Sequence, residues 1–85
     1  GELMELVKYF ASWCSPCKMV SRVLEAESVT HTNIDVEEHS DIASALKIRT
    51  VPVLIVYDEK GKEIARHNNS DPAGVKAFLK EWGFI

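Results

Sequence analysis

Cys14 and Cys17 are the only cysteines among the 85 residues, and they are separated by Ser15 and Pro16. Two thiols at this spacing can form half of a metal site, a short structural bridge, or a pair that cycles between dithiol and disulfide. A structural zinc site needs four ligands. The remaining soft donors are His31, His39 and His67, none of which is spaced as a ligand pair, and there is no second CxxC. No metal and no cofactor are therefore expected. A bridge closing so short a loop removes little entropy from the unfolded chain. The third job has a mechanism: a helix N-terminus carries partial positive charge and free N–H groups, and both stabilise a thiolate. Cys14 at such a tip would be the accessible, low-pKa nucleophile. Cys17, one turn further on, would be shielded and placed to attack the mixed disulfide.

The surrounding sequence has to build that helix and aim it. LMELVKYF, Leu3 to Phe10, reads as a buried strand. After it, Val20, Val23 and Leu24 recur at helical spacing, Pro16 suits a first helical turn, and the helix should end near Glu27. VTHTNIDV, Val29 to Val36, is a second strand rich in β-branched residues. HSDIASALKI places Ile42, Ala45 and Leu46 on one face of a short helix, with Ser40 as its cap. VPVLIVY, Val51 to Tyr57, is continuously apolar and reads as a strand buried on both faces. DEKGK turns the chain into a returning strand, EIARH. Asp71 and Pro72 then open a last helix whose stripe is Val75, Phe78, Leu79 and Trp82, a core-facing pattern, and Gly83 ends it. The order β-α-β-α-β-β-α implies an α/β domain over residues 1–85: a four-stranded mixed sheet with helices on both faces and a right-handed βαβ crossover. Cys14 falls at the exit of the first strand, where open α/β sheets place their chemistry.

Composition narrows the partners. Apolar residues make up 46%, an ordinary globular share, so disorder is not expected. The net charge of −3 is spread without a basic stripe, which argues against nucleic acid. The longest apolar run is far too short for a bilayer, so no membrane partner is expected. GELMELVKYF has no signal-peptide pattern, so the expected location is cytoplasmic, where paired cysteines usually work rather than staple.

YFASWCSPCK closely resembles the active-site segment of the thioredoxin family, usually WCGPCK. NIDVEE resembles that family's next strand, and IRTVPVLIVYDEKGKEI resembles its cis-proline strand and hairpin. The resemblance covers nearly the whole chain, beginning at the family's second strand, and implies a minimal thioredoxin-like domain. It implies that Cys14 attacks and Cys17 resolves. It also implies that Trp13 is the exposed aromatic beside the site, with Ser15 and Pro16 between the cysteines, and that Pro52 follows a cis bond facing them. Val51 then offers backbone groups to an extended substrate. The implied activity is reduction of protein disulfides by a monomer, recharged by a thioredoxin reductase or another dithiol. The alternative is a glutaredoxin-like donor recharged by glutathione or serving ribonucleotide reductase; a further one is a redox-inert binding module.

Three places depart from the family pattern. Ser15 stands where glycine is usual, and its hydroxyl could donate to a thiolate. Lys8 stands where the family usually has a buried aspartate, on the same face as Leu6 and Phe10. Its charge could favour a Cys17 thiolate. The plainer expectation is a buried stem with the head in water or on an acidic partner, Asp35 or Glu5. The family's usual lysine on the next strand falls at His31, so the two positions change together. Near the site, Asn68 and Asn69 replace glycine and could imitate it through positive φ. Asp71 could imitate a glutathione-binding acid, or simply cap the last helix.

Overall fold

The computed structural model describes residues 3–85. β1 (Glu5–Phe10) turns alternate side chains into two apolar layers, because successive residues of a strand face opposite sides. Leu6 enters the layer built by α1 (Ser15–Ala26) and α3 (Pro72–Glu81). Val7 and Tyr9 enter the layer under α2 (Ser40–Ala45). β3 (Val53–Tyr57) does the same: Leu54 and Val56 join the first layer, Val53 and Ile55 the second. All four are at most 4% exposed, so this strand is buried on both faces as its unbroken apolar run predicts.

The sheet order is β2-β1-β3-β4, with β2 (Thr32–Asp35) and β4 (Glu63–His67) at the edges. β1 runs parallel to β2, with Phe10 opposite Asp35, and antiparallel to β3, with Lys8 opposite Leu54. β3 and β4 form the expected hairpin, with a bulge at Val56/Tyr57. The four-stranded mixed sheet with helices on both faces is thus present, and α1 and α3 share one of those faces.

Several boundaries differ from the sequence expectation. Leu3 and Met4 precede β1, and Leu3 is 74% exposed. The second strand is only Thr32–Asp35, paired with Val7–Phe10, and the start of the expected run still belongs to the stop of α1, where the Val29 N–H returns to Leu24 O. β3 begins at Val53, after Pro52, which has no N–H for a ladder. His39, not Ser40, is the N-cap of α2, and its side chain makes no capping bond. Ala45 is exposed, and Ala43 is the buried residue of that helix beside partly buried Ile42 and Leu46. The stripe of α3 is buried as expected at Val75, Phe78 and Leu79, with Trp82 partly buried against the same cluster.

The three helices among the described residues stop in the same way. Ser28, Lys47 and Gly83 have φ of 55°, 59° and 80°. In each case the following amide reaches back: Val29 N–H to Leu24 O, Ile48 N–H to Ala43 O, and Phe84 N–H to Leu79 O, at 2.8–2.9 Å. This is the Schellman arrangement, which favours glycine at the left-handed position. Of the three left-handed positions only Gly83 is marked by its residue type, because serine and lysine carry no such signal.

Exposed Ser28 pays the steric cost of a left-handed L-residue, roughly 1–2 kcal/mol, part of which glycine's larger unfolded-state entropy offsets. Ser28→Gly should therefore raise the free energy of unfolding by about 0.5–1 kcal/mol in equilibrium denaturation, a few degrees in Tm for a domain this size. Gly83→Ala, with open space around the added Cβ but φ of +80°, should lower it by a similar amount.

Candidate active site

The chain leaves β1 at Phe10 and turns, with Cys14 N–H donating to Ala11 O at 3.1 Å. Cys14 then takes an extended conformation, φ −88° and ψ 104°, and becomes the N-cap of α1. Its sulfur accepts the Cys17 N–H at 3.1 Å, the bond that a serine or aspartate oxygen usually supplies at this position. Pro16 lies in the first turn, where a missing N–H costs nothing. Cys14 and Cys17 are joined as a disulfide with Cα atoms 5.3 Å apart, and no free cysteine remains.

The expected difference in shielding between the two cysteines is not seen in this disulfide form. Cys14 is 3% exposed and Cys17 2%. Both pack against Ala11, with Phe10, Val36 and Val51 around them, and bonding to Cys17 covers the sulfur that the helix tip would otherwise present. The two differ instead in electrostatics, since only the Cys14 sulfur receives a helix N–H.

Across from the pair, the Val51–Pro52 bond is cis, as the resemblance implies. The Val51 carbonyl oxygen lies 3.7 Å from Cys14 Sγ, within reach of an S–H in the reduced form. Pro52 is buried, and Val51 packs against the cysteines. Trp13 is 68% exposed, which rules out a core role, and its indole N–H donates to Glu37 at 2.9 Å. It forms one wall of a groove of about 440 Å³ that runs past Val36, Ile48, Arg49 and Val51. Ser15 and Pro16 are exposed on the same turn as the cysteines.

Asn68 is exposed in the loop after β4 and lines neither this groove nor the cavity at the cysteines. Neither Asn68 nor Asn69 uses positive φ; Asn69 instead accepts the Asp71 N–H at 2.8 Å, which shapes the loop without a left-handed residue. The Asp71 carboxylate caps α3 by accepting the Gly74 N–H at 3.1 Å.

Lys8 departs furthest from expectation. It is 7% exposed overall, so most of the side chain is withdrawn from water. Among the described residues no carboxylate forms an ion pair with it. Glu5 instead accepts from Thr32, Asp35 accepts the Glu37 N–H, and the His31 ring meets Val29 O. The ammonium donates to Ser21 Oγ, and the Phe10 ring centroid lies 5.4 Å away. The reason is geometric: Lys8 projects under α1, and the first polar atom it meets there is the Ser21 hydroxyl. Desolvation holds its pKa below the ordinary lysine value, partly countered by the Glu25 charge. Ser21 was not singled out in the sequence, although it lies four residues after Cys17, on the same helix face.

A CxxC disulfide at a helix tip, with a cis-proline loop against it, defines the site of a thiol-disulfide oxidoreductase. The comparisons agree. The family model described as Thioredoxin matches residues 2–81. Thioredoxin-2 of Saccharomyces cerevisiae is 35% identical over 84 residues, covering 93% of this chain and 80% of that protein. The SPbeta prophage-derived thioredoxin-like protein YosR of Bacillus subtilis is 33% identical, covering 92% of this chain and 98% of that protein. The crystal structure of Malassezia sympodialis thioredoxin superposes with a TM-score of 0.82 at 30% identity, covering 95% of this chain and 78% of that one. The chain belongs to the thioredoxin family.

Lys8 also sets a pH signature for stability. A lysine with a lowered folded pKa binds fewer protons folded than unfolded, from that lowered value up to its ordinary 10.5. Stability therefore rises with pH across this window. Tyr9, whose hydroxyl meets that of Tyr57 at 2.6 Å, acts oppositely. Burial raises its pKa from 10.0, so its contribution falls only above that pH. Denaturation midpoints of the oxidised protein should climb as the pH rises from the lowered Lys8 pKa toward 10, and Lys8→Met should flatten the climb. Parallel curves for the two proteins would mean that Lys8 carries no buried charge.

Proposed function

We propose that this protein reduces disulfides of other proteins in the cytoplasm as a monomer, drawing electrons from a thioredoxin reductase. The observation that carries the reading is the helix N–H on the Cys14 sulfur. In the reduced state that bond and the α1 dipole favour a Cys14 thiolate. The thiolate attacks one sulfur of the substrate disulfide, forming a Cys14–substrate bond and releasing the other sulfur as a thiolate, which takes up a proton. Cys17 then gives up its proton and attacks Cys14 Sγ. The mixed disulfide breaks, the second substrate thiol leaves, and the intramolecular disulfide remains. Two electrons have passed to the substrate, and a reductase dithiol restores them.

Trp13, Ser15, Pro16, Val51 and Pro52 form the contact face of this reading. Val51 lies just before β3, outside its ladder, so its backbone is free to pair with an extended segment. The glutaredoxin-like alternative draws on Asp71 as a glutathione-binding acid, and the capping role of that carboxylate supports the first reading.

Cys17→Ser should accumulate a covalent mixed disulfide with a disulfide-bonded protein, whereas Cys14→Ser should trap little, and both should reduce such a protein only at background rate. In the reduced wild type, alkylation near neutral pH should label Cys14 first; one unit of lower pKa gives about tenfold more thiolate below both pKa values. Labelling of Cys17 first would exchange the two roles. Faster turnover with glutathione than with NADPH and thioredoxin reductase would favour the glutaredoxin-like alternative.

A further inference from the structure

Lys8 is the one buried charged residue among the described residues, and it lies in the redox site. Lys8, Ser21, Cys14 and Cys17 line a single cavity of about 180 Å³. Lys8 Nζ donates to Ser21 Oγ, and that hydroxyl donates in turn to the Cys17 carbonyl oxygen at 3.2 Å. The ammonium is therefore tethered one turn along α1 from the resolving cysteine. An ammonium has three protons, and Ser21 takes one.

The charges around it do not neutralise it by contact. On α1, Glu25 attracts it without forming an ion pair, and Lys18, of the same sign, lines the same cavity. β2 sets neutral Asn33 beside it, and β3 sets Leu54. α3 brings Val75, Phe78 and Leu79 to this layer. In the disulfide form a buried cation thus shares a cavity with two uncharged sulfurs.

We propose that Lys8, held by Ser21, is a positioning residue that serves as counter-charge to the thiolate formed when the Cys14–Cys17 bond opens, and so makes the couple less reducing. Reduction by a dithiol places two electrons in the S–S bond and breaks it. A sulfur that stays unprotonated adds an anion to the cavity. The buried cation favours that state and offers nothing to the neutral disulfide, so it draws the equilibrium toward the dithiol.

The effect is reciprocal. Whatever factor the ammonium lends to the thiolate, the thiolate lends to the ammonium. The proposal rests on Cys14–Cys17 being the working couple, and trapping by Cys17→Ser tests that separately.

The test has two arms. In the wild type, NMR titration of the Lys8 Cε and Nζ signals should give a pKa about one unit higher in the reduced than in the oxidised protein, a tenfold change in proton affinity. This arm needs no variant. In the second arm, equilibration with dithiothreitol at pH 7 should show Lys8→Met shifted about tenfold toward the disulfide, which corresponds to ~30 mV more reducing. A residue that only fills space would alter the stability of both redox forms together and leave this equilibrium where it was. Equal Lys8 titrations in the two redox states, or an unmoved equilibrium in a folded Lys8→Met protein, would overturn the proposal.

Discussion

The site depends on one bond of unusual composition, in which a sulfur caps a helix. Serine, threonine, aspartate and asparagine are the favoured N-caps because their oxygens accept the N–H groups that the first turn leaves without partners. Here Cys14 Sγ takes that place on the Cys17 amide. Sulfur is the weaker acceptor, so the helix start gives up some local stability. In exchange, its free N–H groups and positive dipole end are directed at the atom that must carry negative charge during exchange.

Holding that tip still is the work of the sheet. β1 is central, hydrogen-bonded on both sides, and its exit is therefore among the most constrained places in the fold. The Ala11–Cys14 turn bond passes this rigidity to the helix cap. From the other side, β3 delivers the Val51–Pro52 loop. Because β1 and β3 are adjacent and antiparallel, the end of β1 lies beside the start of β3, and the Val51 carbonyl meets Cys14 without a long connection. The groove beside Trp13 arises at the same corner, between this loop and α2.

Lys8 shows the opposite kind of choice. A methionine or leucine in this slot would pack between Leu6, Leu54 and α1 without desolvating a charge. The chain instead keeps an ammonium there and binds it with a hydroxyl and an aromatic ring, neither of which cancels its charge. The cost is borne where the electrostatics of the couple are decided, in the cavity that both cysteines share. Local rules of folding are most often broken near sites of chemistry, and here the breach is a single side chain.

The sequence by itself determined the order of elements, the two-sided burial of β3, the stripe of α3 and the placement of Cys14 and Cys17 at a helix start. Each of these rests on residues close together in the chain, where periodicity, capping chemistry and the Pro16 and Pro72 positions act directly. The match to the thioredoxin pattern added the cis bond before Pro52, which periodicity cannot show. Tertiary structure alone decided which helices share a face, how little of the Val29–Val36 run becomes strand, and that Ser28 and Lys47 adopt left-handed backbone. It also decided the partner of Lys8. Asp35 and Glu5 were plausible from the sequence, but each is taken by a nearer donor, and Lys8 and Ser21 meet only because β1 passes beneath α1. A contact between residues 13 apart on different elements leaves no local trace in the chain, because its energy is set by which surfaces the completed sheet brings together.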